Sequence, residues 1–174
     1  MNETIKTLLG RRSVREYTSK EVSREDLELI AKAGSYAPSA GGHQSGTIIV
    51  LTKKDDIEAI RKINAEIMGK SDMNPYYGAT AIMLVLADKS SNNGVYDGAL
   101  ICGNIMNAAA SLGIGSCWIH RIKETFERED GKALLKKWNI SGDFVGVGSV
   151  ALGYTNQKVI GEGAARKDKF VNFV

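Results

Sequence analysis

The sequence predicts a domain of mixed α and β structure, and three observations lead to this prediction. The chain has 174 residues, 43% of them hydrophobic and 25% charged, so it is long enough to bury a sizeable core. Stretches with helical spacing of apolar residues alternate with short, unbroken apolar runs typical of strands. The net charge is only +3, which is not the composition of a disordered polymer. We therefore expect one domain over residues 1–174.

Four stretches are predicted to be amphipathic helices. Each combines an apolar face at helical spacing with residues that favour a helix end, such as Ser23 followed by Asp26, or a terminal Gly10. They lie at residues 2–9, after Ser23, from Asp55 onward and at residues 132–138.

Three short runs, residues 47–52, 80–87 and 144–152, are predicted to be strands because they are apolar and rich in β-branched side chains. Their apolar residues do not alternate with polar ones, which indicates a sheet covered on both faces. Gly146 and Gly148 superficially match a dinucleotide-binding fingerprint. We reject that match, because both glycines lie inside a strand pattern that no helix follows.

Residues 98–113 contain no charged side chain, and Asp97 before them is a suitable N-cap. A helix that is apolar all round must be buried, either in the domain core or against a second subunit. Because Gly103 and alanines 108–110 permit close backbone approach, we favour a homodimer. The polar tail, residues 155–174, ends in apolar side chains and is predicted to be an extended arm whose end docks elsewhere.

Several classes of protein are excluded by composition. The longest near-apolar runs, residues 80–87 and 108–117, are shorter than the ~20 residues that a bilayer requires. The first residues do not resemble a signal peptide, so we expect a cytoplasmic protein that binds no membrane. A net charge of +3, without a basic stripe interleaved with aromatic residues, also argues against nucleic acid.

The cysteines and histidines indicate neither a metal site nor a disulfide. Cys102 and Cys117 form no CxxC pair. His43 and His120 lie far apart, with no metal-ligand spacing and no catalytic triad. Cys117 has no adjacent histidine or lysine to activate its thiol, so we interpret it as a small buried apolar residue.

The strongest candidate for ligand binding is RRSVR at residues 11–15, the arginine motif. It is either a solvated surface patch or a phosphate site, because arginine offers charged, bidentate donors. The pair Arg166 and Lys167 is available to reach the same anion. Glycines in residues 37–44 (APSAGGHQ) and 113–120 (GIGSCWIH) permit close approach of a ligand, although a turn and close packing explain them equally well.

Taken together and in their order along the chain, several segments of the sequence resemble the nitroreductase family of FMN-dependent oxidoreductases. The resemblance rests on RRSVR, APSAGGHQ, PYYGATAIMLVLAD, the long segment from about Asp97 to Trp118, GVGSVALGY and the tail RKDKFVNFV. It extends from about Ile5 to the C-terminus. It implies an α+β fold with a central, mainly antiparallel sheet flanked by helices, and an intertwined homodimer that holds two FMN molecules at the subunit interface.

The resemblance also implies roles for individual residues. Arg11, Arg12 and Ser13 would hold the FMN phosphate and ribityl chain, and Arg15 would approach the pyrimidine edge of the flavin. A cation there stabilises the negative charge that builds on reduction. The tail cations Arg166 and Lys167 would complete the phosphate site.

A second set of residues would lie against the flavin ring. Pro38, Ser39 and Ala40 match the family segment that covers the flavin from the other subunit. Ile119 and His120 match the segment beside the dimethylbenzene and N5 side, where main-chain amides matter more than side-chain identity.

The chain departs from the family pattern in one loop. Gly42 stands where the family commonly has asparagine, and Ser45 and Gly46 stand where it has proline and tryptophan. The implied mechanism has two steps, in which NAD(P)H reduces the flavin and leaves before a nitroaromatic, quinone or similar acceptor binds. Two alternatives remain: a flavin-binding or regulatory module without turnover, and an enzyme of the same fold that dehalogenates its substrate or breaks down flavin.

Overall fold

Helices and strands are interleaved along the chain as far as residue 153. The computed structural model describes residues 1–174. Its six α-helices are α1 (Glu3–Gly10), α2 (Arg24–Ser35), α3 (Lys54–Ile67), α4 (Gly94–Ser111), α5 (Ile122–Glu127) and α6 (Glu129–Lys137). Its four strands are β1 (Gly46–Leu51), β2 (Ala81–Asp88), β3 (Gly115–Ile119) and β4 (Phe144–Gly153), and a 3₁₀ turn covers Ala40–Gly42.

The four strands form one antiparallel sheet in the order β1-β2-β4-β3, which confirms the α+β class. β2 and β4 are central, and β1 and β3 are the two edges. Neither β3 nor α5 is among the predicted elements. β3 begins with Gly115 and Ser116, which weaken a strand pattern, and the six residues of α5 are too few to show helical periodicity.

Side-chain caps begin the first two helices, and the sequence predicts the cap of α2 but not that of α1. The Ser23 hydroxyl accepts a hydrogen bond from the Asp26 N–H at 3.0 Å and donates one to the Asp26 carboxylate at 2.8 Å. Asn2 Oδ1 accepts from the Ile5 N–H at 3.0 Å. Each cap satisfies a main-chain donor that the first turn of a helix leaves without a partner.

Apolar layers cover both faces of the sheet. On one face Met83 of β2 belongs to a cluster with Ile105 of α4. On the other face Leu84 belongs to a cluster with Ile60 of α3 and Ile122 of α5. Every residue of β2 before Asp88 is buried, so the prediction that unbroken apolar runs mark a doubly covered sheet is confirmed.

The start of α4 differs from the prediction. The helix begins at Gly94 with Asn93 in the N-cap position, so Asp97 is not its cap. Gly94 lies so close to β2 that an added Cβ would be 2.9 Å from the Cβ of Ala87. This close packing lets the helix begin one turn earlier, and it leaves the buried Asp97 carboxylate available for another part of the chain.

In the single chain α4 is buried on one side only. Cys102 and Ile105 lie fully in the core, whereas Tyr96 and Leu100 are exposed, and an added Cβ on Gly103 would meet nothing within 4 Å. The helix therefore presents one open face of apolar and small residues.

Residues 155–174 form no helix or strand, as expected for an extended arm. The apolar end does not dock on its own chain, because Phe170, Val171 and Phe173 are exposed. α1 is similar in that none of its residues is buried. No helix of the molecule combines the length and the apolar character needed to cross a bilayer.

Candidate functional site

The arginine motif is an extended segment held between β3 and the tail. On one side the Val14 N–H donates to the Ser116 carbonyl at 2.9 Å, and the motif forms a parallel bridge to the same strand. On the other side the Arg12 N–H donates to the Val159 carbonyl at 2.8 Å. The main chain of the motif is therefore fixed on both sides.

Two buried guanidinium nitrogens of the motif, Arg11 Nη1 and Arg12 Nε, have no hydrogen-bond partner. The terminal nitrogens of Arg12 turn back to the end of α1 and donate to the carbonyls of Leu9 and Arg11, both at 2.7 Å. Burial, followed by the nearby Arg12 charge, lowers the pKa of Arg11. A bound anion would supply the missing acceptors and offset the cost of burying two cations together. The donor set therefore fits a phosphate group.

Cys117 of β3 lies beside the motif. Burial raises the pKa of its thiol, while the charges of Arg15 and Arg11 and the Ser13 hydroxyl act in the opposite direction. Both cysteines are buried and unpaired. This confirms the interpretation of Cys117 as a buried small side chain.

Tyr17 is a neighbour of the motif that no sequence pattern indicated. Its hydroxyl donates to the Val14 carbonyl at 2.9 Å and lies 3.3 Å from the Ala151 carbonyl of β4. Burial, with a smaller effect of Cys117, raises the pKa of this phenol. Tyr17 therefore braces the motif against the sheet. An aromatic residue two positions after RRSVR was the only available signal.

Ile119 and His120 lie at the other end of β3 from Gly115. Ile119 is buried in the strand, whereas His120 is exposed just beyond it. Arg121 follows with a φ of +84°, so the chain turns sharply there. The arginine motif contacts Ser116 of the same strand. Ile119 and His120 therefore lie further along the edge strand that the motif contacts.

Pro38, Ser39 and Ala40 belong to a loop, residues 38–45, that Asp97 holds against α4. Asp97 accepts from the Ala40 N–H at 3.0 Å and from the Ser45 hydroxyl at 3.1 Å. The Ser39 hydroxyl accepts from the Gln44 N–H at 3.0 Å. The sequence predicts Asp97 as the helix N-cap, but its carboxylate anchors the loop instead. The signal for this role was a single carboxylate placed before a long apolar run.

The loop also explains one departure from the family pattern. An added Cβ on Gly46 would collide with Cδ1 of Ile101, so Ile101 fills the space beside this position. A cavity of about 480 Å³ opens next to it, lined in part by Pro38, Ser39 and Gln44. No large side chain fits at position 46 in this packing.

The loop and the arginine motif are separated within one chain. No hydrogen bond or ion pair joins residues 38–40 to residues 11–15 or to His120. The loop leads into β1 at one edge of the sheet, and the motif contacts β3 at the opposite edge. The structure therefore brings together the motif, Ile119 and His120, but not residues 38–40.

The tail cations also remain apart from the motif. The tail passes Arg12 at Gly163, where an added Cβ would lie 2.6 Å from Arg12 Nη2. Arg166 and Lys167, a few residues later, are exposed, and neither forms an ion pair. The molecule contains no group of three or more His, Cys, Asp or Glu side chains arranged to hold a metal ion.

Comparison with known proteins gives consistent matches over this architecture. The model of the nitroreductase family matches residues 8–154. A protein of Archaeoglobus fulgidus, named provisionally as an NADH dehydrogenase/NAD(P)H nitroreductase, is 36% identical over 160 residues, which cover 88% of this chain and 86% of that protein. The crystal structure of a Bacteroides fragilis nitroreductase with bound FMN superposes with a TM-score of 0.90 at 27% identity, over 100% of both chains. A nitroreductase of Desulfitobacterium hafniense shares the fold, with a TM-score of 0.87 at 24% identity over 100% of this chain and 99% of that one.

Proposed function

Because the chain belongs to the nitroreductase family, we propose that it is an FMN-dependent oxidoreductase that passes a hydride from NAD(P)H to a nitroaromatic, quinone or similar acceptor. The observation that carries the proposal is the pair of buried, unpartnered guanidinium nitrogens on Arg11 and Arg12. When bound, FMN supplies the redox chemistry, accepting two electrons from NAD(P)H and delivering them to the acceptor in a second step.

The chain's own residues position the cofactor and shape its electrostatics. Arg11, Arg12 and Ser13 would hold the phosphate and ribityl chain beside β3, because the main chain of the motif is fixed there and Arg11 Nη1 and Arg12 Nε lack acceptors. Arg15, two residues on and exposed, would place its charge at the pyrimidine edge and stabilise the anionic reduced ring. No side chain is required as a general acid or base.

The other side of the site would come from a second copy of the chain. Ile119 and His120 share an edge strand with the motif, whereas Pro38, Ser39 and Ala40 lie across the sheet from it. A homodimer in which each loop covers the partner's flavin brings the two sets together. The open face of α4 supports this assembly, since Tyr96 and Leu100 are exposed there.

The tail would act as an arm in the same dimer. Its exposed end, with Phe170 and Phe173, requires an apolar surface, and a partner subunit offers one. Arg166 and Lys167 would then complete the phosphate site. In this proposal residues 1–174 form one FMN-binding domain, and residues from about 155 onward reach the partner.

Anaerobic titration of the purified protein with NADH and NADPH tests the function. We expect a yellow protein whose flavin absorbance is bleached by one equivalent of reductant and restored by a quinone or nitroaromatic compound. A colourless protein that does not take up added FMN would contradict the proposal. Bound FMN that neither nucleotide reduces would favour a regulatory module, and loss of intact FMN during turnover would favour flavin breakdown.

A further inference from the structure

A chain of buried hydroxyl groups lies behind the end of β3. The Tyr76 side chain is 1% exposed and Ser149 is 0% exposed. The two hydroxyl oxygens are 3.0 Å apart, and the Ser149 hydroxyl donates to the Ile119 carbonyl at 3.1 Å. A serine hydroxyl has one proton, and Ser149 gives it to Ile119, so Tyr76 must donate to Ser149. The chain therefore runs in one direction, from Tyr76 through Ser149 to Ile119.

This arrangement determines the direction of the next main-chain donor. The carbonyl of Ile119 and the N–H of His120 belong to one trans, planar peptide, so they point in opposite directions. The carbonyl points to Ser149 of β4, which pairs with Ile119 across the sheet. The His120 N–H therefore points away from β4, toward the open edge of β3, and it donates to no acceptor in the chain.

The open edge of β3 is the edge that contacts the arginine motif. Ser116 presents its carbonyl there to the Val14 N–H at 2.9 Å. Main-chain groups of alternate strand residues point to the same side, and His120 follows Ser116 by an even number of positions. The free N–H of His120 and the main chain of the arginine motif thus lie along one edge of the sheet.

We propose that Tyr76 and Ser149 are positioning residues that hold the Ile119–His120 peptide so that the His120 N–H donates to the edge of the flavin ring. The inference rests on the proposed function. The His120 N–H would lie at the N5 side of the ring, where oxidised flavin offers a lone pair and reduced flavin carries a hydrogen. A main-chain donor fixed there costs no reorganisation on binding and stabilises the oxidised cofactor more than the reduced one. Neither residue touches the ligand.

The test measures the reduction potential of bound FMN in Tyr76→Phe and Ser149→Ala. We expect the ratio of affinities for reduced and oxidised FMN to rise about tenfold in Ser149→Ala, which is about 30 mV to higher potential for a two-electron couple. Tyr76→Phe keeps the buried ring and should shift the potential in the same direction by a smaller amount. In both FMN-free variants the ¹⁵N–¹H resonance of His120 should move.

Trp138→Phe is the matched control. Like Tyr76→Phe, this substitution removes a hydrogen bond that an aromatic side chain donates, here from Trp138 Nε1 to Asp56 at 2.9 Å. Trp138 follows α6, a helix that packs on α3 and α5. We expect it to lower the unfolding free energy and leave the potential and the His120 resonance unchanged.

Unchanged potentials in both hydroxyl variants, with losses of stability like that of the control, would overturn the positioning role. If Ser149→Ala does not fold, Tyr76→Phe decides the question alone. A wild-type protein that takes up no FMN would defeat the proposed function instead. In that case the His120 resonance of the FMN-free protein still tests whether the hydroxyl chain holds the peptide.

Discussion

The two halves of the proposed site differ in how their polar groups are satisfied. In the arginine motif, Arg11 Nη1 and Arg12 Nε are buried without a partner. In the loop, residues 38–45, the Ala40 N–H and the Ser45 hydroxyl both reach the Asp97 carboxylate. The motif therefore reduces the stability of the empty protein and gains most from a ligand. The loop is already organised before any ligand binds.

This difference predicts opposite consequences of mutation in the two regions. Removing the anchor of the loop should cost folding stability, because two half-buried donors lose their acceptor. Removing a cation of the motif should cost ligand affinity while leaving the stability of the empty protein unchanged or slightly raised. Four substitutions, taken from the largest expected effect to the smallest, test the contrast.

Asp97→Ala should have the largest effect on folding. It leaves the Ala40 N–H and the Ser45 hydroxyl without their acceptor, at a cost of about 3 kcal/mol in the free energy of unfolding. Urea denaturation of the FMN-free protein measures it. Asp143→Ala is the control, because its carboxylate is exposed and lies 3.7 Å from Lys89, and an exposed pair contributes less than about 0.5 kcal/mol. Equal losses in the two variants would contradict an anchoring role for Asp97.

Arg11→Ala should weaken FMN binding about 30-fold, which corresponds to about 2 kcal/mol for a lost charge-assisted hydrogen bond. The unfolding free energy of the empty protein should not fall, since burial disfavours this cation, as the lowered pKa of Arg11 indicates. Fluorescence titration with FMN measures the affinity. Arg24→Ala, which removes an exposed arginine paired with Glu28, should leave it unchanged. Wild-type affinity in Arg11→Ala would place the phosphate site elsewhere.

Gly46→Ala tests how closely the loop is packed. The added methyl group collides with Cδ1 of Ile101, and overpacking of this kind costs about 1 kcal/mol. Ile101→Val removes that methyl group, so the double variant should lose less stability than the sum of the single variants. Simple additivity in thermal unfolding would show that Ile101 moves aside without cost and that the loop is not rigid.

Arg166→Ala should have the smallest effect. The side chain is exposed and forms no ion pair in the single chain, so at the phosphate site it would add a charge that solvent still screens. We expect a loss of FMN affinity of about threefold at low salt that disappears at high salt. A loss as large as that of Arg11→Ala, insensitive to salt, would mean that Arg166 is buried against the phosphate in the dimer.

The sequence was sufficient to predict local features but not relations between distant segments. Ser23 with Asp26 predicted the start of α2, because a helix cap depends on neighbouring residues. The unbroken apolar run of β2 likewise predicted a strand covered on both faces, because that pattern also lies within consecutive residues. β3 was missed because Gly115 and Ser116 carry little strand propensity, and its place at the sheet edge comes from pairing with β4.

Asp97 shows why the rest escaped prediction. Local rules made it a helix cap, but its carboxylate bonds to Ala40 and Ser45, more than 50 residues earlier in the chain. The Tyr76–Ser149 hydrogen bond likewise joins residues 73 positions apart. Such pairings exist only after the sheet forms, and no spacing in the sequence encodes them. The arginine motif was found because its donors lie within five consecutive residues.

A test of subunit complementation addresses the central claim most directly, namely that the motif of one chain and the loop of another form one site. One subunit carries Arg11→Ala and the other carries Ala40→Glu. The Ala40→Glu substitution should exclude FMN by adding bulk and negative charge to the loop. Each variant alone should bind FMN weakly. Co-refolded mixed dimers should bind one FMN per dimer with wild-type affinity, because one of their two sites then contains an intact motif and an intact loop. Mixed dimers that recover no tight FMN site would contradict the claim and place both halves in the same chain.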